Sequence, residues 1–212
     1  MNERLNDYIE AHISPEPEWL KRVYRDTWLQ RLYPRMCSGH VQGSLLTMIT
    51  SMVSPRRVIE LGTYTGYSAL AMAAGLPDCG HIDTVEIDDE HEEFILNEFA
   101  GSPFASRITL HIGDALDTVP RITPGEGWDM AFIDANKRHY PEYYRMLRPL
   151  MAPGGYILAD NTLWDAHVID PAADADPQCR GIREFNDIVA ADDGVFVTIV
   201  PVRDGLTIIK IK

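Results

Sequence analysis

The run Val58-Ile59-Glu60-Leu61-Gly62-Thr63-Tyr64-Thr65-Gly66-Tyr67-Ser68 decides how the chain is read. Val58, Ile59 and Leu61 read as a short buried strand. Gly62 and Gly66 open a tight turn, and Ser68 through Ala74 reads as a helix. A strand that feeds a glycine turn and then a helix presents free backbone N–H groups beside a crevice, a geometry suited to a nucleoside cofactor. The spacing Gly62-x-x-x-Gly66 is not G-x-G-x-x-G. It points away from a dinucleotide pyrophosphate and towards a cofactor lacking phosphate.

Strands and helices alternate outward from this turn. Val58–Gly62, His81–Ile87, Ile108–Ile112, Met130–Asp134 and Tyr156–Ala159 read as strands. Ala69–Gly75, Glu90–Ala100, Ala115–Ile122, Tyr140–Leu150 and Ile182–Ala191 read as the helices between and after them. Val195–Val202 and Leu206–Ile211 close the chain around Asp204-Gly205, too tightly joined for a crossover, so they are expected to pair antiparallel. The pattern predicts a Rossmann-like, doubly wound α/β fold: a seven-stranded sheet, mostly parallel, with a C-terminal antiparallel hairpin.

Upstream, Leu5, Tyr8, Ile9 and Ile13 recur at helical spacing. Ser14-Pro15 reads as the cap and first-turn proline of a second helix carrying Leu20, Val23, Tyr24, Thr27, Trp28 and Arg31. Ser38 reads as the cap of a third, with Val41, Leu45, Leu46, Ile49 and Val53 as its core face. This prelude is too short to be a domain. The expected organisation is one domain, with residues 1–54 as a helical lid or dimer segment and 55–212 as the cofactor- and metal-binding core.

The 212 residues suffice for one sizeable core. The net charge of -13 disfavours non-specific nucleic-acid binding. Three distant cysteines without a C-x-x-C suggest neither a disulfide framework nor a zinc site and fit a cytoplasmic setting. No apolar run is long enough to span a membrane, and the polar N-terminus has no signal-peptide apolar region. The seven histidines show no H-E-x-x-H spacing, and G-x-S-x-G is absent.

Several strand ends carry oxygen-bearing side chains. Glu86, about 20 residues beyond the glycine turn, is placed to accept both hydroxyls of a ribose, and the other reading is a surface acid beside Asp88 and Asp89. Asp114 after the third strand either accepts from an adenine amino group or caps the following helix. Asp134 ends the fourth strand and Asp160-Asn161 the fifth. On neighbouring strands ~4.8 Å apart these three converge at the carboxyl edge. Two carboxylates and an amide suit a hard cation such as Mg²⁺. Lys137, three residues beyond Asp134, is either a solvated loop lysine or a base. A neighbouring cation disfavours its ammonium form and acidifies a bound hydroxyl, so lysine and metal together suit the making of an oxyanion nucleophile.

With these residues in place, the chain from about Met36 onward resembles the cation-dependent, S-adenosylmethionine-dependent O-methyltransferases of the caffeoyl-CoA and catechol group. Glu60–Ser68 looks like the family's cofactor loop and Glu86 like its ribose-binding acid. Phe132-Ile133-Asp134-Ala135-Asn136-Lys137 matches the segment with a metal ligand and the catalytic lysine. Ala159-Asp160-Asn161-Thr162-Leu163-Trp164 matches the segment with the other two ligands. Arg183-x-Phe185-Asn186 and Pro201-x-x-Asp204-Gly205-Leu206 are similar to its C-terminal signatures.

The resemblance implies roles. Glu60, Gly62, Tyr64 and Ser68 would hold the methionine part of the cofactor, Glu86 the ribose, and Asp114 and Ala115 would border the adenine. Asp134 would serve both cofactor and metal, with Asp160 and Asn161 as further ligands. Lys137 would be catalytic, and Met36, Ala135, Asn136 and Trp164 would line the acceptor pocket. Ala135-Asn136 replaces the His-Trp of the catechol enzyme, and Ala115 replaces a serine.

The expected reaction is methyl transfer to a hydroxyl of a catechol-like or phenolic small molecule by a homodimer. Two other readings compete with it. One is a tRNA 5-hydroxyuridine O-methyltransferase, served by Arg31, Arg35, Arg138, Arg180 and Arg183 at the mouth of the site. The other is a nicotinamide-dependent oxidoreductase.

Overall fold

The computed structural model describes residues 3–212. Three helices come first: α1 (Glu3–His12), α2 (Glu18–Gln30) and α3 (Gly39–Val53). Then β1 (Arg57–Leu61), α4 (Tyr67–Gly75), β2 (His81–Glu86), α5 (Glu92–Ala100), β3 (Ile108–Ile112), α6 (Ala115–Ile122), β4 (Trp128–Ile133), α7 (Tyr140–Leu147) and β5 (Met151–Ala159) alternate. The chain ends with α8 (Pro177–Ala190), β6 (Val195–Val200) and β7 (Leu206–Ile211).

The strands form one seven-stranded sheet in the order β3-β2-β1-β4-β5-β7-β6. β1 to β5 pair in parallel, and β7 runs antiparallel to both β5 and β6. The order reverses between β1 and β4, and ligands bind at the carboxyl ends of strands at such a switch point. β4 and β5 are direct neighbours, so the strand-end acids Asp134 and Asp160 are brought to one edge.

The period-two alternation of the strands divides the core between two faces. Ile59, Leu61, Ala131, Ile133, Ile157 and Ile209 pack with α6, α7 and α8. Val58, Ile82, Met130, Phe132 and Leu158 pack beneath α2, α3, α4 and α5. Glu60 shares the second face with Val58, so it points under the first turn of α4 and is fully buried.

Five local expectations are corrected. Ser14 caps nothing: α2 begins at Glu18 after an extended Pro17 without a side-chain cap. Pro15 and Pro17 each bias the preceding residue away from the helical region, so helix cannot start between them. Ser38 precedes α3 but makes no cap bond. α7 ends at Leu147, and Pro149 confines residues 148–150 to a 3₁₀ turn. Pro153-Gly154-Gly155 lies inside β5, where the β4–β5 register shifts around it. α8 starts earlier than expected, at Pro177, capped by Asp176 Oδ1 accepting from Gln178 N at 2.9 Å.

Candidate active site

A cleft of about 1280 Å³ opens at the carboxyl edge over the switch point. Gly62, Tyr64, Ser68, Glu86, Asp114, Ala115, Asp134, Ala135, Asn136, Lys137, Asp160, Asn161, Trp164 and Met36 all line it. Of the expected site residues, Glu60 alone does not line the cleft.

Glu60 lies behind the wall. Ser68 Oγ donates to Oε1 and Thr84 Oγ1 to Oε2, each at 2.5 Å, and Thr84 is in turn 2.6 Å from Thr63 Oγ1. Burial pushes its carboxyl up to about 8 against these two hydroxyl donors, and repulsion from Asp134 and Glu86 adds to the rise. Glu60 therefore braces Ser68 and the first turn of α4 from below.

Glu86 sits at the tip of β2 and is fixed by backbone. Tyr64 N donates to Oε2 at 2.7 Å and Asp88 N to Oε1 at 3.0 Å. Each oxygen keeps acceptor capacity for a further donor. Tyr64 holds a left-handed conformation, φ 51°, and edges onto His91 with ring centroids 5.3 Å apart. Gly62 cannot carry a side chain: a Cβ there would lie 2.3 Å from the backbone oxygen of Asp134. The ends of β1 and β4 thus close to backbone contact beneath the cleft. α4 opens at Gly66 with no side-chain cap, which leaves its first N–H groups open towards the cleft. Asp114 accepts from Leu116 N at 2.8 Å and caps α6, the second of the two readings its position allowed, while still lining the cleft.

Lys137 and Asp134 form the centre of the other half. Lys137 Nζ donates to Asp134 Oδ1 at 2.6 Å, and the lysine is 8 % exposed, so it is not a solvated loop residue. Asn136 Oδ1 accepts from Arg138 N at 3.2 Å and sets the 3₁₀ turn that aims Lys137 inward. α8 closes against this turn through Gly181, where a Cβ would lie 2.4 Å from the Lys137 carbonyl oxygen. The Tyr140 hydroxyl lies 3.1 Å and 3.0 Å from the carbonyl oxygens of Ile133 and Asp160 and ties the ends of β4 and β5 together. Its ring lies 5.2 Å from Lys137 Nζ. Burial pushes Asp134 up to about 6; Lys137 opposes the rise and Asp160 adds to it.

Asp160 is buried and Asn161 follows with φ 58°. Among the described residues no three His, Cys, Asp or Glu side chains converge on a point. The candidate cation site is two carboxylates and one amide. Trp164 donates from Nε1 to Asp176 Oδ2 at 2.9 Å, which pins it beside the cleft. Met36 is more than half exposed at the rim.

Two groups at the site escape a reading of the sequence: Arg203, which lines the cleft, and Gln42, which lies behind it against Asp160. Gln42 is buried on α3, in line with Leu46 and Thr50. Of the expected face of that helix, Leu46 is fully buried and Leu45, Ile49 and Val53 pack half-buried against the core; the buried stripe also takes in Gln42, and a glutamine beside that face was the available signal. Arg203 sits in the turn before β7 with φ 49°, where nothing in the sequence marks it. The five arginines expected at the mouth divide. Arg31, Arg35 and Arg138 line the cleft. Arg180 and Arg183 instead brace the loop before α8, through the carbonyls of Asp174, Val168, His167 and Asp170.

The O-methyltransferase family profile matches residues 10–212. This chain belongs to the O-methyltransferase family. It is 35% identical over 214 residues to a caffeoyl-CoA O-methyltransferase of Mesembryanthemum crystallinum, across 95% of this chain and 83% of that one. It is 33% identical over 178 residues to a catechol O-methyltransferase of Niastella koreensis, across 81% and 80%. The O-methyltransferase from Bacillus cereus, solved in complex with S-adenosylhomocysteine, superposes with a TM-score of 0.92 at 28% identity, across 99% of this chain and 97% of that one. TomG of Streptomyces achromogenes, solved with S-adenosylmethionine, superposes at 0.91 with 27% identity, across 100% and 99%. Membership in this family replaces the nicotinamide-dependent alternative. No helix among the described residues is long and apolar enough to cross a membrane.

Proposed function

We propose that this O-methyltransferase transfers a methyl group from S-adenosylmethionine to a hydroxyl of a catechol-like or phenolic small molecule, with a divalent cation, Mg²⁺ by the hardness of its donors, at Asp134, Asp160 and Asn161. The observation that carries the reading is the buried Lys137 ammonium, 2.6 Å from Asp134 at the edge of the cleft.

The residues present fit both groups. For the methyl donor there is an uncapped helix start suited to a carboxylate, a glycine floor, and an acid at the tip of β2 with free acceptor capacity. For the cation there are hard oxygen donors at adjacent strand ends, whose mutual repulsion and burial leave the site short of positive charge. S-adenosylmethionine supplies a sulfonium-bound methyl group, and a cation supplies charge that stabilises a deprotonated hydroxyl. Glu86 accepts from the ribose hydroxyls, Gly62 lets the donor approach the backbone, and Ser68, held by Glu60, faces its methionine part. Ala115 offers only backbone at the adenine end, beside Asp114. Lys137, once it has given up its ammonium proton, as charge from a bound cation would favour, takes the proton from the reacting hydroxyl at Nζ. Ala135, Asn136, Trp164 and Met36 shape the acceptor side, and the remaining contribution is alignment of the two reacting atoms.

The test is turnover of a vicinal diol by the Lys137→Ala enzyme, and by the wild type with a chelator. Loss in both cases is expected, and undiminished turnover in either would overturn the mechanism. The exposed Leu29, Leu32, Met48 and Met52 of the prelude support a homodimer, which sedimentation would test. The three free thiols accord with a cytoplasmic setting.

A further inference from the structure

The geometry points to Gln42, oriented by Arg203, as a positioning residue that fixes Asp160 as a one-oxygen ligand and so sets which divalent cation the site prefers. The inference rests on the cation reading above and goes beyond it. Gln42 Nε2 donates to Asp160 Oδ2 at 2.7 Å, and both residues are buried. On its other side Gln42 Oε1 accepts from Arg203 Nη1, which also donates to the carbonyl of Ser38. The line of contacts joins α3 to the end of β5, 118 residues away in sequence, and to the turn before β7, 161 residues away.

The chemistry of the two ends explains the residue between them. A guanidinium has only donors and an ionised carboxylate only acceptors. A side chain that satisfies both must offer one acceptor and one donor. An amide does so in one orientation, with its oxygen to Arg203 and its nitrogen to Asp160. A glutamate at position 42 would face Asp160 with like charge, and a lysine would face Arg203. The backbone of Asp160 is already pinned by its N–H on Ile133 O at 3.0 Å and by the Tyr140 hydroxyl on its carbonyl. Only the rotation of its carboxylate remained to be fixed, and Gln42 fixes it.

With Oδ2 engaged, Oδ1 is left to face a cation. One oxygen per carboxylate suits a small ion of near-octahedral demand, whereas Ca²⁺ also takes carboxylates through both oxygens. Outer-shell partners of this kind typically change metal affinity 10–100-fold when lost. The relay therefore favours Mg²⁺ and Mn²⁺ over Ca²⁺.

The experiment measures Mn²⁺ binding to the full chain by electron paramagnetic resonance of the free ion, with Ca²⁺ as competitor and S-adenosylhomocysteine affinity as a check on folding. Gln42→Leu is expected to weaken Mn²⁺ about 10-fold and Ca²⁺ less, with S-adenosylhomocysteine affinity retained. Arg203→Asn should shift Mn²⁺ affinity in the same direction by less. Arg203 is exposed and asparagine is at ease at φ 49°, so this variant decides the matter if Gln42→Leu does not fold. Unchanged Mn²⁺ affinity in a folded Gln42→Leu protein overturns the positioning role. Equal losses of Mn²⁺ and Ca²⁺ overturn the ion preference, and an unaltered Arg203→Asn protein overturns the part given to Arg203. Wild-type protein that binds no Mn²⁺ overturns the cation reading itself, a result distinct from a wild type that binds and a variant that matches it.

Discussion

On the β1–β2 side of the cleft, two carboxylates are held by neutral donors: Glu60 by the hydroxyls of Ser68 and Thr84, Glu86 by the backbone N–H groups of Tyr64 and Asp88. On the β4–β5 side, charge enters: Asp134 is held directly by Lys137, and Asp160 by a neutral amide that itself leans on the Arg203 guanidinium. Neutral donors fix the Glu86 carboxylate without taking up its charge, which suits a surface proposed to receive the hydroxyl groups of a donor, and Glu60 braces that surface from behind. The Lys137 charge opposes the rise that burial and repulsion from Asp160 impose on the Asp134 carboxyl. Under the proposed function, recognition falls to the first side and chemistry to the second.

Substitutions on the two sides should therefore separate in kinetics. Lys137→Ala is expected to lower kcat about 10³-fold, within the range for loss of a positioned base. The dissociation constant of S-adenosylhomocysteine should stay within about 3-fold, because no residue of the first side is touched. Calorimetric titration and single-turnover rates check both halves of the statement. A fall in donor affinity as large as the fall in rate would erase the distinction between the two sides.

Glu86→Ala should do the converse. Charge-assisted hydrogen bonds contribute about 1.5–3 kcal/mol each, so loss of the ribose acceptor is expected to weaken S-adenosylhomocysteine roughly 10–100-fold. At saturating donor the rate should fall much less. A large kcat defect with unchanged affinity would place Glu86 among the residues that act on the transition state.

The same division governs what could be read from the amino-acid order. The β1–β2 side is built by neighbours in sequence. Gly62, Tyr64 and Ser68 fall in one turn, and Glu86 follows at the distance that a single strand–helix–strand unit imposes. Strand alternation even dictates that Glu60 turns under α4, although its likeness to a cofactor loop invited the opposite placement. The β4–β5 side was legible only where strand ends announce themselves, at Asp134, Lys137, Asp160 and Asn161. Gln42 and Arg203 reach the same point from helices and turns far along the chain, and no local spacing encodes that meeting. Alternation and loop length pointed to a mostly parallel sheet with neighbouring β4 and β5 and a closing antiparallel hairpin, but not to β7, instead of β6, as the partner of β5. The burial of Gln42 beside the expected α3 face was not legible, because an apolar pattern does not mark a polar side chain that tertiary packing covers.

The smallest expected effect tests the neutral side at its base. Burial pushes the Glu60 carboxyl up to about 8, against an ordinary value of 4.5, so near neutral pH the native state favours a proton there that the unfolded chain has released. An acid raised in this way contributes stability that is complete below pH 4.5 and is lost as the pH rises through about 8. Glu60→Gln removes this dependence and keeps a group that both hydroxyls can reach. Between pH 6 and 7.5 the variant should therefore gain on the wild type by on the order of 1–2 kcal/mol in urea unfolding. Asp134, whose carboxyl is pushed up to about 6, titrates in the same window, but it does so in both proteins and largely cancels in the difference. Parallel pH profiles would mean that Glu60 is ionised beneath α4. The carboxylate under Ser68 would then need a charged partner of the kind that Asp134 has, and the contrast between the two sides would fail at its foundation.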